Sequence, residues 1–273
     1  VVGQSGKLVW SEPDGDRYVH GIVSGFEATG FGRRFARYRA TLVPAVWPLT
    51  LIRRSRIYEE VAVPEILRRV LEADGVPSDR FRITAKEAHP VREYCVQYRE
   101  SDWDFLSRLM EDEGFIYFFE ETADGAVLVI DDRRDARPVI EGDSTILFRD
   151  PAMGVAPQGQ IWRFTARREV RPTKVHLREY DFRHPSRNPD EKLDDDQESA
   201  FDRSELCDYD YPGGLVEHSV GAPLPTFRLE ALRTGDLTMS GESNLPRLRP
   251  AHRFTLDGHH RDGFNIEYQV IRV

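Results

Sequence analysis

The sequence predicts a β-rich α+β fold, and three observations carry that reading. Short apolar runs, alternating or clustered, are punctuated by glycine and proline over residues 1 to 52 and again beyond residue 151. Two stretches with apolar residues at three- and four-residue spacing lie between them, so the main helices belong to the middle of the chain. No short repeat and no heptad run interrupts this order.

Taken in order, "KLVW", "YVHGIVSGFEATG" and "RFARYRATLVP" read as strands. The second alternates Val19, Gly21 and Val23 on one side with Tyr18, His20 and Ile22 on the other. "PAVWPLT" is broken by proline and reads as a turn or an edge. Residues 63 to 75, "VPEILRRVLEADG", predict a helix. Pro64 suits the first helical turn, where its missing N–H costs nothing. Ile66, Leu67, Val70 and Leu71 form one apolar stripe, with Arg68 and Arg69 facing away, and Gly75 supplies the left-handed stop.

The stretch "REYCVQYRESDWDFLSRLMEDEGFIYFFE", Arg92 to Glu120, is the densest in the chain. "EYCVQY" predicts a strand with Tyr94, Val96 and Tyr98 on one face and Cys95 and Gln97 on the other. Ser101 is placed to cap a helix, with Asp104 three residues on. That helix turns Phe105, Leu106, Leu109 and Met110 inward and ends at Gly114. Its carboxylates are expected on the solvent face or as favourable charges at the N-terminus. "FIYFF", apolar on both faces, is expected as a central strand, and "EETADG" as the turn into "AVLVI".

Beyond residue 151, "QIWRFTARREV" and "KVHLREYDFRHP" predict strands. Residues 190 to 210 hold ten acidic residues against one lysine and one arginine, which predicts an exposed loop or mobile linker. "DYDYPGG" ends it in a turn. "PTFRLEALRTGDLTMSGES" opens as a short helix and continues as a strand, and "HRFTLDGH" and "FNIEYQVIRV" close the chain as strands.

The 273 residues suffice for two or three compact units. An apolar content of 40% with 31% charged residues fits a soluble protein with much exposed surface, or one that buries surface against partners. The net charge of −9 argues against general nucleic-acid binding, which needs a basic face. Cys95 and Cys207 are expected as free, partly buried thiols, so no disulfide framework is implied. No run approaches the roughly 18 apolar residues of a membrane span. The first residues, "VVGQSGKLVW", lack the pattern of a signal peptide and an initiator Met, and "IEYQVIRV" ends on a strand, so both ends are expected to be cut from a longer chain.

Several residues are candidates for chemistry. Cys95 with His89 or His20 would make a nucleophile and base, but Cys95 sits mid-strand between aromatics, which favours packing. Asp190, Glu191, Asp194, Asp195 and Asp196 would offer calcium ligands, but the run lacks the glycine bend and spacing of a calcium loop. His259 and His260 are adjacent and would point to opposite faces of a strand. His176, His184 and His218 share no ligand spacing. A carboxylate pair for glycoside hydrolysis has no positive support in the sequence, and there is no phosphate loop, GxSxG or CxxC. No catalytic, cofactor-binding or metal-binding residue is therefore assigned.

One ordered set of words carries a resemblance over almost the whole chain. It runs "YVHGIVSGFE", "YRATLVPAVWPLTLIRRSRIYEEVAVPEIL" and "REYCVQYRESDWDFLSRLMEDEGFIYFFE", then "VHLREYDFRHP", "YDYPGG", "RLEAL", "SGESNLPRLRPAHRFTLDGH" and "EYQVIRV". In these the chain resembles the head of VgrG, the spike protein of the bacterial type VI secretion system, which is similar to the tail hubs of contractile phages. The segment Glu93 to Glu120 is the most specific.

The resemblance implies two small β-barrels of the phage tail-hub or tube type with an α/β portion between them. It divides the chain into the remainder of the first barrel at 1–55, a middle α/β portion with two helices at 56–150, and a second barrel at 151–273 that includes the acidic loop 190–210. It implies a homotrimer that caps the hexameric Hcp tube, contacts baseplate proteins and carries secreted effectors, assembled in the bacterial cytoplasm and then expelled. It implies no enzyme activity, no cofactor, no nucleic acid and no membrane-spanning segment. Relative to the family, the start of the first barrel is expected to be missing, as are the OB-fold, needle and any toxin domain after Val273. "SRIYEE" has Tyr58 and Glu59 where the family usually shows Phe and Gln, which bears on interface contacts. Two alternatives stay open: a tail-hub or baseplate protein of a contractile phage or prophage, and a cell-wall hydrolase associated with a spike.

Overall fold

The computed structural model describes residues 1–12, 15–133, 137–154, 159–186, 190–194, 206–215 and 224–273. Strands dominate, with three α-helices among the described residues. The chain opens with β1 (Ser5–Glu12), β2 (Gly15–Phe31) and β3 (Ala36–Val43), an antiparallel meander in that order. The expected alternation holds in the register. Val19 lies opposite Leu8 and Gly21 opposite Gly6, while Tyr18 and His20 face Val9 and Lys7. Gly21 has no alternative residue: an added Cβ would stand 2.3 Å from the Val43 carbonyl oxygen. "PAVWPLT" forms a 3-10 turn over Trp47–Thr50.

The middle follows with β4 (Arg53–Ala62), α1 (Val63–Ala73), β5 (Phe81–Thr84), β6 (Val91–Ser101), α2 (Asp102–Asp112), β7 (Ile116–Glu121) and β8 (Ala126–Asp131). Both helices form where the sequence places them. Pro64 sits in the first turn of α1, and Ile66, Leu67, Val70 and Leu71 are fully buried. The Ser101 hydroxyl accepts from the Asp104 N–H at 3.0 Å, which satisfies one of the unpaired donors of the first turn of α2. Gly114 follows the helix at φ +73°. Phe105, Leu106, Leu109 and Met110 pack with the α1 stripe, Phe81, Cys95, Leu128 and Ile130 into the largest core. Burying side chains of this size contributes about 1.5–3 kcal/mol each.

β4 and β6 form a two-stranded antiparallel ribbon; β5, β8 and β7 form a sheet in that order. The sheet corrects one expectation. "FIYFF" is an edge strand, pairing only with β8 among the described residues, and β8 is the centre. Its two apolar faces have another cause: Tyr117 meets Trp103 of α2 edge-on at 5.2 Å, and Phe118 meets the ring of His252 at 6.3 Å. Phe118 is buried on one face, while Tyr117 on the other stays exposed beside Trp103.

The last part holds β9 (Thr145–Leu147), β10 (Ile161–Arg168), β11 (Lys174–Arg178), β12 (Asp190–Asp194), β13 (Cys207–Asp210), α3 (Leu224–Arg233), β14 (Leu237–Ser243), β15 (Arg253–Asp257) and β16 (Glu267–Gln269). β10 pairs with β14, β11 sits between β12 and β13, and β15 sits between β16 and β9. Ile140, Ile146, Ile161, Leu245, Phe254 and Leu256 form a second core; Val175, Leu177 and Leu229 form a third. The acidic segment is not wholly a loop. Asp190–Asp194 is a strand whose register sets Asp190 opposite Arg178 and Asp194 opposite Lys174. Across the ladder the Asp190 carboxylate meets His176 Nε2 at 2.9 Å. Residues 195–205 of that segment lie outside the described residues. No sheet closes into a barrel among the described residues.

Candidate functional site

The structure takes the residues weighed for chemistry apart from one another. Cys95 is buried on the inner face of β6, opposite Tyr58. The His89 ring lies 2.7 Å from Glu113 and 3.1 Å from Asp132, and His20 Nδ1 lies 2.9 Å from Glu121. Both histidines are committed to carboxylates. Neither cysteine is in a disulfide; Cys95 is buried and Cys207 exposed. Cys95→Ser is expected to fold and to leave any assembly or secretion intact, with a stability loss of about 1–3 kcal/mol for a buried hydroxyl. A secretion assay on the folded variant checks this; a folded variant that is not secreted would return Cys95 to a functional role.

His259 and His260 do not point to opposite faces. They follow β15 in a turn at Gly258, φ +76°, where the alternation of a strand no longer applies, and their rings stack at 4.2 Å. Burial and the neighbouring His260 hold the His259 ring below the usual histidine range. His176 Nε2 meets Asp190 at 2.9 Å and His184 Nδ1 meets Asp181 at 3.0 Å. His218, Asp195 and Asp196 lie outside the described residues. Among the described residues no group of three His, Cys, Asp or Glu could hold a metal ion, and no helix is long and apolar enough to cross a membrane.

The carboxylates of "SDWDFLSRLMEDEG" hold the surprise. Asp102 sits in the first turn of α2, where a favourable N-terminal charge is expected, but it and Glu113, expected on the solvent face, are both buried. Asp102 accepts from Arg56 at 2.6 Å and from Gln97 at 2.7 Å, with Arg54 Nε at 3.5 Å. Arg54 also donates to Asp74, at the end of α1, at 2.5 Å. Burial raises the Asp74 carboxyl above the usual range, and the neighbouring Asp102 carboxylate adds to it. One cluster thus ties β4, β6 and the ends of α1 and α2. Glu113 accepts from Arg92 at 2.8 Å and meets His89, whose ring stacks on Phe115 at 4.6 Å. A signal was available: 102, 106, 109 and 113 share one helical face, so both acids sit on the apolar stripe.

The His89 cluster carries a pH dependence. Burial pulls its ring down, but the hydrogen bonds and charge of Glu113 and Asp132 outweigh that, and the net shift is upward. A raised folded value means the contribution is complete below the unfolded value of about 6.5 and is lost as pH rises through the folded one. The stability gap between wild type and His89→Gln is expected to be larger at about pH 5.5 than at about pH 9, by denaturant titration. A gap that widens with pH would reverse the assignment.

Two exposed surfaces are apolar or basic. The outer face of the β4–β6 ribbon sets Ser55, Ile57 and Glu59 opposite Tyr98, Val96 and Tyr94. Ile57 is 63% exposed and Tyr98 69%. The far half of the β2–β3 hairpin bears Phe26 stacked on Tyr38 at 5.2 Å, with Phe31 and Phe35 each 80% exposed near its tip. The alternation of β6 was legible in the sequence; that its aromatic face lacks a cover was not.

Among the described residues the chain presents small sheets, buried ion pairs and exposed apolar side chains. Comparison with known proteins gives its class. The family model of the phage tail baseplate hub (GPD) matches residues 1–273, and the chain belongs to that family. Within it, the chain is similar to type VI secretion system spike proteins of Pseudomonas aeruginosa. It is 37% identical to VgrG5 over 256 residues, covering 93% of this chain and 32% of the relative. It is 34% identical to VgrG2a over 278 residues, covering 100% and 32%. The chain thus spans about a third of the length of these curated relatives. Among solved structures, an E. coli component of the type VI secretion system superposes with a TM-score of 0.65 at 20% identity, covering 96% of this chain and 56% of that one. A tail protein from Neisseria meningitidis MC58 gives 0.62 at 13% identity, covering 98% and 76%. At those identities the structures speak for the fold.

Proposed function

We propose that this chain is the head region of a type VI secretion spike. Three copies form a ring that caps the hexameric Hcp tube, seats on baseplate proteins, and is expelled from the bacterial cytoplasm with the tube to puncture a target cell and deliver effectors. The match of the hub family over the full chain, with spike relatives at up to 37% identity, carries this reading. The head has two tube-like barrels flanking an α/β portion, so three chains meet a sixfold tube without a symmetry mismatch. The division is 1–55, 56–150 and 151–273. Packing runs across both boundaries: Val46 and Leu49 join the core of the middle helices, and Ile140 and Ile146 pack with Phe254 and Leu256. Its role is mechanical. The relatives are named as spike proteins, and the buried acids are used in ion pairs that hold the fold.

Removing this region from the full-length spike in its own cell is expected to abolish release of the tube protein into the medium. Undiminished release would overturn the reading. The tail proteins among the structural neighbours favour a second one, a hub of a contractile phage or prophage. Gene neighbours separate the two: a tube, sheath and ATPase against capsid and portal.

A further inference from the structure

We propose that the basic hairpin of β2 and β3 docks on the outer face of the β4–β6 ribbon of a second copy of this chain. The inference deepens the hub reading, on which it rests, by naming the surfaces that join the copies. The chain is acidic overall, yet Gly32 to Arg39 holds four arginines and no acid. Arg39 is paired with Glu27 at 2.7 Å. Arg33, Arg34 and Arg37 are exposed and form no ion pair among the described residues. Phe31 and Phe35 flank these charges, so the tip offers apolar area and positive charge together.

The ribbon offers the complement. Ile57, Tyr94, Val96 and Tyr98 make a contiguous apolar strip of cross-strand neighbours. Isolated exposed apolar residues are ordinary, but a strip of this kind marks an interaction surface. Its end at Tyr94 is edged by Glu59 and Glu60, both exposed. Glu93 beside them is engaged by Arg183. The opposite end is edged by Arg53 and Arg99, which directs an incoming arginine cluster to the glutamate end. The two surfaces are unlike and complementary, and one chain displays both. Such a heterologous contact needs no twofold axis and, where its rotation closes, builds a ring.

Sedimentation of the wild-type chain from micromolar concentration upward tests this. The wild type is expected to self-associate. Arg33→Glu with Arg34→Glu and Arg37→Glu, and separately Glu59→Arg with Glu60→Arg, are each expected to weaken association by at least about tenfold, since like charges then face each other. All five substitutions in one chain are expected to restore it. Circular dichroism verifies folding, which these exposed positions should not disturb. A wild type that stays monomeric at every concentration, charge reversals without effect, or a folded five-fold variant that fails to associate would each overturn the inference. None of these touches the hub reading, whose own test is loss of tube release.

Discussion

Asp102→Ala is expected to cost about 3–5 kcal/mol of folding stability, a large share of the roughly 5–15 kcal/mol that holds a domain together. The side chain is fully buried and accepts from Arg56 and Gln97, with Arg54 beside it. Removing it leaves guanidinium groups and an amide partly enclosed without their acceptor, which costs more than the pair itself gains. It also removes a negative charge from the N-terminal turn of α2, where the helix dipole favours one. Asp104→Ala two residues on is the control: that carboxylate is exposed and in the same turn, so its loss should stay under about 1 kcal/mol. Urea unfolding of the two variants beside wild type reads the difference. Equal losses would mean that the dipole alone matters and that the buried cluster contributes nothing.

That contrast marks what the sequence could tell. Asp102 and Asp104 are the same residue type in the same turn, and composition cannot separate them. Helical phase can, because Asp102 falls on the face of Leu106 and Leu109 while Asp104 does not. The partners are another matter. Arg54 and Arg56 arrive from a strand more than forty residues earlier, and only the register of β4 on β6 sets Arg56 opposite Gln97. Local signals were readable wherever one element decides the outcome: Ser101 as a cap, Pro64 in a first turn, the alternation of β6. They misled where layers decide. "FIYFF" reads as central because both faces are apolar, yet the strand lies at an edge, with Phe118 buried against His252 on one face and Tyr117 exposed on the other. Asp190–Asp194 reads as a loop by its charge, yet its backbone pairs with β11, and Asp190 meets His176 there. The uncovered ribbon was invisible for the same reason: alternation gives the two faces of a strand but not which of them the rest of the chain covers.

Phe105→Ala tests whether the two sides of that ribbon do different work. Phe105 is fully buried in the largest core and stacks on Tyr58 of β4 at 5.7 Å, so it fastens α2 to the inner face of the ribbon. Truncating a phenylalanine there removes its transfer energy and leaves a cavity between two packed layers, an expected loss of about 3–5 kcal/mol. Tyr98→Ala, on the outer face, removes a side chain of similar size that is mostly in water already. Its expected cost to monomer stability is within about 0.5 kcal/mol, the range for surface positions. Its effect should fall on association between copies. Denaturant unfolding of both variants at a concentration where the chain is monomeric, beside sedimentation at high concentration, separates the two. If Tyr98→Ala destabilised the monomer as much as Phe105→Ala, the outer face would be covered within one chain, and the ribbon would lose its claim as a surface for a second copy. If instead Phe105→Ala lowers stability while Tyr98→Ala lowers only association, the inner face of β6 serves the fold and its outer face serves the assembly.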